Sequence, residues 1–216
     1  MKLPLAAAIM GACCASAAAQ STHVLLADGD LSEWQQQGFE KVSAGTEYSI
    51  LTDEDLGEQV VMIESNQGAS GYIRSADLAL SADAIVKITW RVDAADNPAD
   101  EKSKAGDDFP LRIYFADSTS IGADTLTLVH SIQSEAGSMW TSPYSGMLAE
   151  FEQYAFGGTG TQLGVWHTTS LPIGKIWAEA FGSLPDKIVL VGFMGDSDNA
   201  GGSSRARLAR LELIDN

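Results

Sequence analysis

Lys104-Ala-Gly-Asp-Asp-Phe-Pro-Leu-Arg-Ile-Tyr-Phe115 decides the fold. A charged turn containing glycine runs into a segment of period two, with Leu111, Ile113 and Phe115 on one side and Arg112 and Tyr114 on the other. Lys87-Ile-Thr-Trp-Arg-Val92 repeats the pattern: Ile88, Trp90 and Val92 point one way, Lys87, Thr89 and Arg91 the other. These read as two core strands whose outer face carries Arg91, Arg112 and Tyr114. Asp107 and Asp108 then lie in the loop that enters the second strand.

The same rhythm extends in both directions. Strands are expected at 24–27, 48–51, 59–65, 71–75, 125–132, 150–156 and 163–170, with turn chemistry about every ten residues. That spacing is the rhythm of a sandwich and not of alternating strands and helices. Leu31–Trp34 reads as a helical turn capped near Asp30. Residues 138–144 read as a loop and Gly157–Gly160 as a hairpin-like turn. Ile188–Met194 is continuously apolar, as for a central strand covered on both faces. From Arg205 to Ile214 the apolar set shifts by one residue, which predicts a bulge near Leu208 or Ala209. Ile173, Ile176, Trp177, Ala180 and Phe181 follow helical spacing between Pro172 and Gly182. The expected fold is all-β, a mainly antiparallel two-sheet sandwich of jelly-roll type, with one short helix near 172–181 closing an end.

Composition narrows the function. The 216 residues carry a formal charge of −16, with 29 acidic and 13 basic side chains. This excludes a basic footprint for nucleic acid and disfavours an anionic membrane surface. Residues 1–20 have the form of an export signal: Lys2, an apolar run from Leu3 to Cys14, and Ala17-Ala18-Ala19 before the expected cleavage. The expectation is a single domain over 21–216, periplasmic or secreted. The rival is a lipoprotein anchored through Cys13. Both cysteines, Cys13 and Cys14, lie in the leader, which leaves no thiol chemistry and no disulfide downstream. No later segment is apolar enough to cross a bilayer.

Several groups bear on a site. Asp107, Asp108, Arg91 and Arg112 read either as an ion-pair network fixing a loop or as a site for an oxygen-rich ligand. Tyr114 shares their strand face. Trp90 and Trp177 fit the core, whereas Trp140 and Trp166 are free to stack on a sugar. Asp196-Ser-Asp-Asn199 offers oxygen ligands for calcium or forms an Asx-rich turn; Asp196, Asp198 and Asn199 are its candidate donors. His23, His130 and His167 lack zinc-ligand spacing, and no nucleophile elbow is present.

Ala69–Arg74, Ile88–Val92, Lys104–Phe109, Arg112–Phe115, Met139–Pro143, Phe181-Gly182 and Gly195–Asn199 occur in an order that resembles domain-of-unknown-function family 3047. The resemblance implies an exported bacterial β-sandwich and no established activity. It also implies an arginine and an aspartate shortly before Phe181-Gly182, where this chain has His167–Pro172 and Ile176-Trp177 instead. Three functions remain open: a non-catalytic module binding an oligosaccharide or other polar small molecule, an enzyme acting on a polysaccharide or envelope polymer through paired carboxylates, and a structural envelope protein.

Overall fold

The computed structural model describes residues 21–39, 42, 44–118 and 122–215. The expected leader and Cys13 lie outside them. Two β-sheets face one another. The first holds β1 (Ser21–Leu26), β3 (Glu47–Asp53), β4 (Glu58–Asn66), β6 (Ile85–Ala95), β11 (His167–Leu171) and β13 (Ser203–Asp215), in the order β11-β6-β13-β4-β3 with β1 also on β13. The second has the order β2-β5-β12-β7-β8-β10-β9. Its strands are β2 (Gln35–Gly38), β5 (Ala69–Leu78), β7 (Arg112–Ala116), β8 (Ala123–His130), β9 (Met139–Thr141), β10 (Ala149–Gly157) and β12 (Ile188–Asp196). All pairings are antiparallel except β8 with β10. The fold is the all-β, jelly-roll-like sandwich that the alternation predicts.

Period two does what it should in the core. Ile88, Trp90 and Val92 from one sheet meet Ile113, Phe115, Leu126, Leu128, Val191 and Phe193 from the other in one buried apolar cluster. The indole N–H of Trp90 donates to Thr169 Oγ1 at 3.0 Å, so even this fully buried ring leaves no polar atom stranded. β12 is central, between β5 and β7. The bulge falls where the phase change places it: between Leu208 and Arg210 the register against β6 slips, and Ala209 faces no partner on that strand.

α1 (Ile173–Phe181) buries Ile173, Ile176 and Trp177, with Pro172 in the cap position. It stops at Gly182, whose φ of 78° and ψ of −11° are left-handed, and whose N–H reaches Ala178 O at 2.9 Å. Because a Cβ is strained in that conformation, Gly182→Ala is expected to cost about 1–2 kcal/mol, read as a lower thermal unfolding midpoint with the fold intact.

Three expectations need correction. β6 and β7 belong to different sheets, so Arg91 and Arg112 point outward from opposite faces of the sandwich and share no surface. Residues 138–144 are not all loop, because Met139–Thr141 pairs with β10 as the edge strand β9. The turn at 157–160 is no hairpin: it starts the crossing from β10 in one sheet to β11 in the other. Leu31–Trp34 forms the expected turn, closed by Trp34 N–H to Leu31 O at 3.0 Å, with Ser32 N–H on Asp30 Oδ1 at 2.9 Å. Among the described residues no helix is long and apolar enough to cross a membrane.

Candidate functional site

The chain between β6 and β7 folds back across the outer face of the seven-stranded sheet. Two contacts hold it down. Glu101, only 1% exposed, accepts from the Ser131 hydroxyl, from Ser134 Oγ at 2.7 Å, and from the N–H groups of Ile132 and Gln133 at 3.3 Å. Further along, a Cβ at position 195 would come within 2.6 Å of Pro110 O. Gly195 therefore lets residues 107–110 pass close over the end of β12.

That passage brings Asp107, Asp108 and Phe109 against Arg112 and Asp196. The Arg112 guanidinium lies between two carboxylates: Nε donates to Asp196 Oδ1 at 2.8 Å, Nη2 to Asp196 Oδ2 at 2.5 Å, and Nη1 to Asp107 Oδ2 at 3.2 Å. Nη2 also reaches the Asp107 carbonyl. The Phe109 ring packs under the guanidinium, 4.5 Å from its carbon, while Phe109 N–H donates to Asp196 Oδ1 at 3.0 Å. Gln153 on β10 donates through Nε2 to Asp107 Oδ1 at 2.7 Å. Asp107, Asp196 and Arg112 are 3–4% exposed. Burial pushes the Asp196 carboxyl up to about 7, against the pull of Arg112 and of the Phe109 N–H.

Asp108 binds the loop after β12. Its Oδ1 accepts from Asn199 N and Nδ2, both at 3.1 Å, and its Oδ2 from Ala200 N at 2.6 Å. Asn199 Oδ1 accepts the Tyr144 hydroxyl at 2.8 Å. Tyr144 thereby ties the β9–β10 loop to the cluster while remaining 48% exposed. Lys104 Nζ stands 5.4 Å over the Tyr144 ring and Lys102 Nζ 5.1 Å over the Trp140 ring. Trp140 approaches Phe109 at 6.2 Å.

Of the residues expected at a site, Asp107, Asp108, Arg112, Tyr114, Trp140, Asp196, Asp198 and Asn199 thus gather at one end and face of one sheet. Arg91 and Trp166 do not. On the opposite sheet Arg91 binds Asp93 at 2.5 Å and Asp55 at 3.3 Å, and Trp166 donates to Asp53 Oδ1 at 3.0 Å. Arg207 completes that network by bridging Asp53 and Asp93 at 2.6 and 2.9 Å. The members sequence reasoning missed are Gln153, Phe109, Tyr144 and the two lysines.

Asp108, Asp196 and Asp198 each offer a carboxylate oxygen within 4.8 Å of the others. Burial, and then the Asp108 charge, pushes the Asp198 carboxyl up. Calcium prefers six to eight oxygens. Here Asp196 is committed to Arg112, Asp108 to backbone N–H groups, and the Asn199 carboxamide oxygen to Tyr144. The arrangement serves loop anchoring as it stands, with Asp198 as its least committed carboxylate.

The fold is shared with the family 11 carbohydrate-binding module of a cellulosomal cellulase of Clostridium thermocellum, at 12% identity and a TM-score of 0.51, over 92% of this chain and 97% of that one. A Clostridium thermocellum family 11 module in complex with a β-1,3-1,4-mixed-linked tetrasaccharide gives 10% identity and a TM-score of 0.49, over 91% and 96%. No curated protein matches by sequence. The profile of a protein family of unknown function, DUF3047, matches residues 32–212. Since that span covers most of the chain, from before β2 well into β13, the chain belongs to the DUF3047 family.

Proposed function

We propose that this protein is an exported, non-catalytic module that binds carbohydrate at the rim where the β9–β10 hairpin meets the Asp107–Arg112 cluster. One observation carries the reading: two aromatic residues of one hairpin, Trp140 and Tyr144, lie at the cluster's edge, where Asn199 and Gln153 are already fixed by hydrogen bonds. A sugar ring needs both features, an apolar face to stack on and hydrogen-bond partners that do not have to be ordered on binding. Among the described residues the ammonium groups of Lys102 and Lys104 make no ion pair, only the cation–π contacts over the two rings, which a sugar ring could replace. A fold shared with a carbohydrate-binding module makes sugars the first ligand class to try, by analogy. Export rests on the charged start, apolar run and small residues of positions 1–20.

Catalysis by paired carboxylates is served less well here. Asp107 and Asp196 share one guanidinium and are 3% and 4% exposed, which ties both to the loop instead of freeing one to move a proton.

The test is calorimetric binding to soluble β-glucan and xylan oligosaccharides. Trp140→Ala and Tyr144→Ala are each expected to weaken binding at least about tenfold, near 1.4 kcal/mol, without lowering the unfolding midpoint by more than a few degrees. Both variants binding as tightly as the parent would place the ligand elsewhere. Hydrolysis of the oligosaccharides by the parent would restore the enzyme reading.

A further inference from the structure

The loop from Asp100 to Gly106 carries cations that no carboxylate holds. Lys87, Lys175 and Lys187 are each ion-paired, and so is every described arginine. Of the described lysines and arginines, only Lys102 and Lys104 make no ion pair. Acids are not scarce: the chain has 29, and Asp100 lies exposed two positions before Lys102. Asp100 instead accepts the backbone N–H of Lys102, at 3.0 Å. The two ammonium groups lie over aromatic rings, Lys102 Nζ 5.1 Å from the centre of Trp140 and Lys104 Nζ 5.4 Å from that of Tyr144.

The backbone beneath the lysines is fixed. Glu101 is buried on the serine hydroxyls and N–H groups already described. Ser103 returns its N–H and its hydroxyl to Asp100 O, at 2.9 and 2.7 Å, and Gly106 N–H donates to Ser103 O at 3.1 Å. Asn97 Nδ2 donates to Gly106 O at 2.7 Å and to Asp108 O at 3.1 Å. A Cβ on Gly106 would come within 2.4 Å of Asp100 O, so the turn closes this tightly only on glycine. The loop thus holds Lys102 and Lys104 at the rim with both side chains exposed. The acids of the cluster are largely served: Asp107 and Asp196 share Arg112, and Asp108 takes N–H groups of Asn199 and Ala200. Asp198 is the member left to oppose an anion.

We propose that the glycan bound at this rim is a polyuronate, a chain whose sugar rings carry carboxylates, with Trp140 and Lys102 as one subsite and Tyr144 and Lys104 as another. This rests on the carbohydrate reading and names its ligand class. A sugar ring that stacks on the indole or the phenol displaces the ammonium from that ring. A neutral sugar leaves the displaced cation to water. A uronate supplies both halves of the exchange. Its apolar face takes the aromatic ring, and its carboxylate takes the ammonium in a charge-assisted hydrogen bond, stronger than one to a hydroxyl. The pairing of one ring with one cation, present twice, matches a polymer that repeats one ring with one charge. The formal charge of −16 opposes an anion at long range, but physiological salt screens exposed charges beyond about 8 Å, which leaves the local cations to decide.

The test is calorimetric binding of hexasaccharides matched in linkage and differing at the carboxylate. β-1,4-linked glucuronate is set against β-1,4-linked glucose, and α-1,4-linked galacturonate against its methyl ester, all at physiological salt. At least one acid is expected to bind about tenfold or more tightly than its uncharged counterpart. In the double variant Lys102→Gln, Lys104→Gln that ratio is expected to fall toward one, with the unfolding midpoint unchanged because both side chains are exposed. Trp140→Ala is expected to weaken the acid and the neutral chain together. If neither acid outbinds its counterpart while neutral chains still bind through Trp140, the polyuronate is overturned and the rim reading stands. A preference for acid that survives the double lysine variant overturns the subsites assigned here. No binding of any chain, xylan oligosaccharides included, overturns both readings.

Discussion

Replacing Arg112 by methionine is expected to destabilise the protein by about 3–5 kcal/mol. The guanidinium is about 5% exposed and sits between the carboxylates of Asp107 and Asp196, each as buried as itself. Without it two buried acids face each other with only N–H donors for company, and an uncompensated buried charge costs more than the pair contributes. The loss carries a pH signature. Burial already raises Asp196 in the parent, and removing the opposing cation raises it further. An acid whose folded pKa lies above its unfolded value of 3.8 is most stabilising when protonated, so its contribution falls as pH rises through the folded pKa. The deficit of Arg112→Met should therefore be smaller at about pH 5 than at about pH 8, and Asp196→Asn in the same background should restore part of it. Urea unfolding across that range measures both. A variant as stable as the parent, with no pH trend, would mean that the cluster does not hold the loop. Arg112→Lys is expected to fall between, because an ammonium cannot make the forked contact to Asp196.

What the sequence reveals of this cluster, and what it hides, follows from the period of a strand. Alternation distinguishes inward from outward residues, and it sends Ile88, Trp90, Ile113 and Phe115 to the core where they belong. It carries no information on which sheet a strand joins. Arg91 and Arg112 look equivalent in sequence, yet one pairs with Asp93 on the six-stranded sheet and the other with Asp196 on the seven-stranded sheet. The bulge near Ala209 and the helix at 173–181 are legible because each rests on local pattern. β9 has three residues and β2 reads Gln-Gln-Gln-Gly, too short or too polar to show any alternation. Gln153 presents the hardest case. It occupies an outward position on β10, where a polar residue invites no comment, and it is 1% exposed because a loop 46 residues earlier in the chain lies on it. Contacts of that range are set by how the chain packs, and local sequence does not encode them.

Lowering the pH from about 6.5 to about 4 is expected to remove roughly 3 kcal/mol of stability through His130 alone. Its imidazole is 1% exposed, neither ring nitrogen has a hydrogen-bond partner among the described residues, and it packs 5.1 Å from Trp90 and 6.4 Å from Phe156. Burial pushes it down to about 4 from the ordinary 6.5, and the nearby His167 adds to the shift. Between those values the unfolded chain binds the proton and the native protein does not, so stability falls as pH falls and levels off below about 4. The packing leaves little room to relax: a Cβ on Gly157 would come within 2.7 Å of His130 Cδ2 and 2.9 Å of the Trp90 ring. Asp196 acts in the opposite direction over much of the same range, because it favours the native state as it protonates. The two cannot be separated in the parent's pH profile, but the difference between the parent and His130→Leu isolates the histidine. That difference should shrink steadily toward acid, and it changes sign there if leucine beside Trp90 costs less than about 3 kcal/mol. A difference that stays flat from pH 6.5 to 4 would show that the imidazole takes up its proton in place, and that water reaches the ring between the sheets.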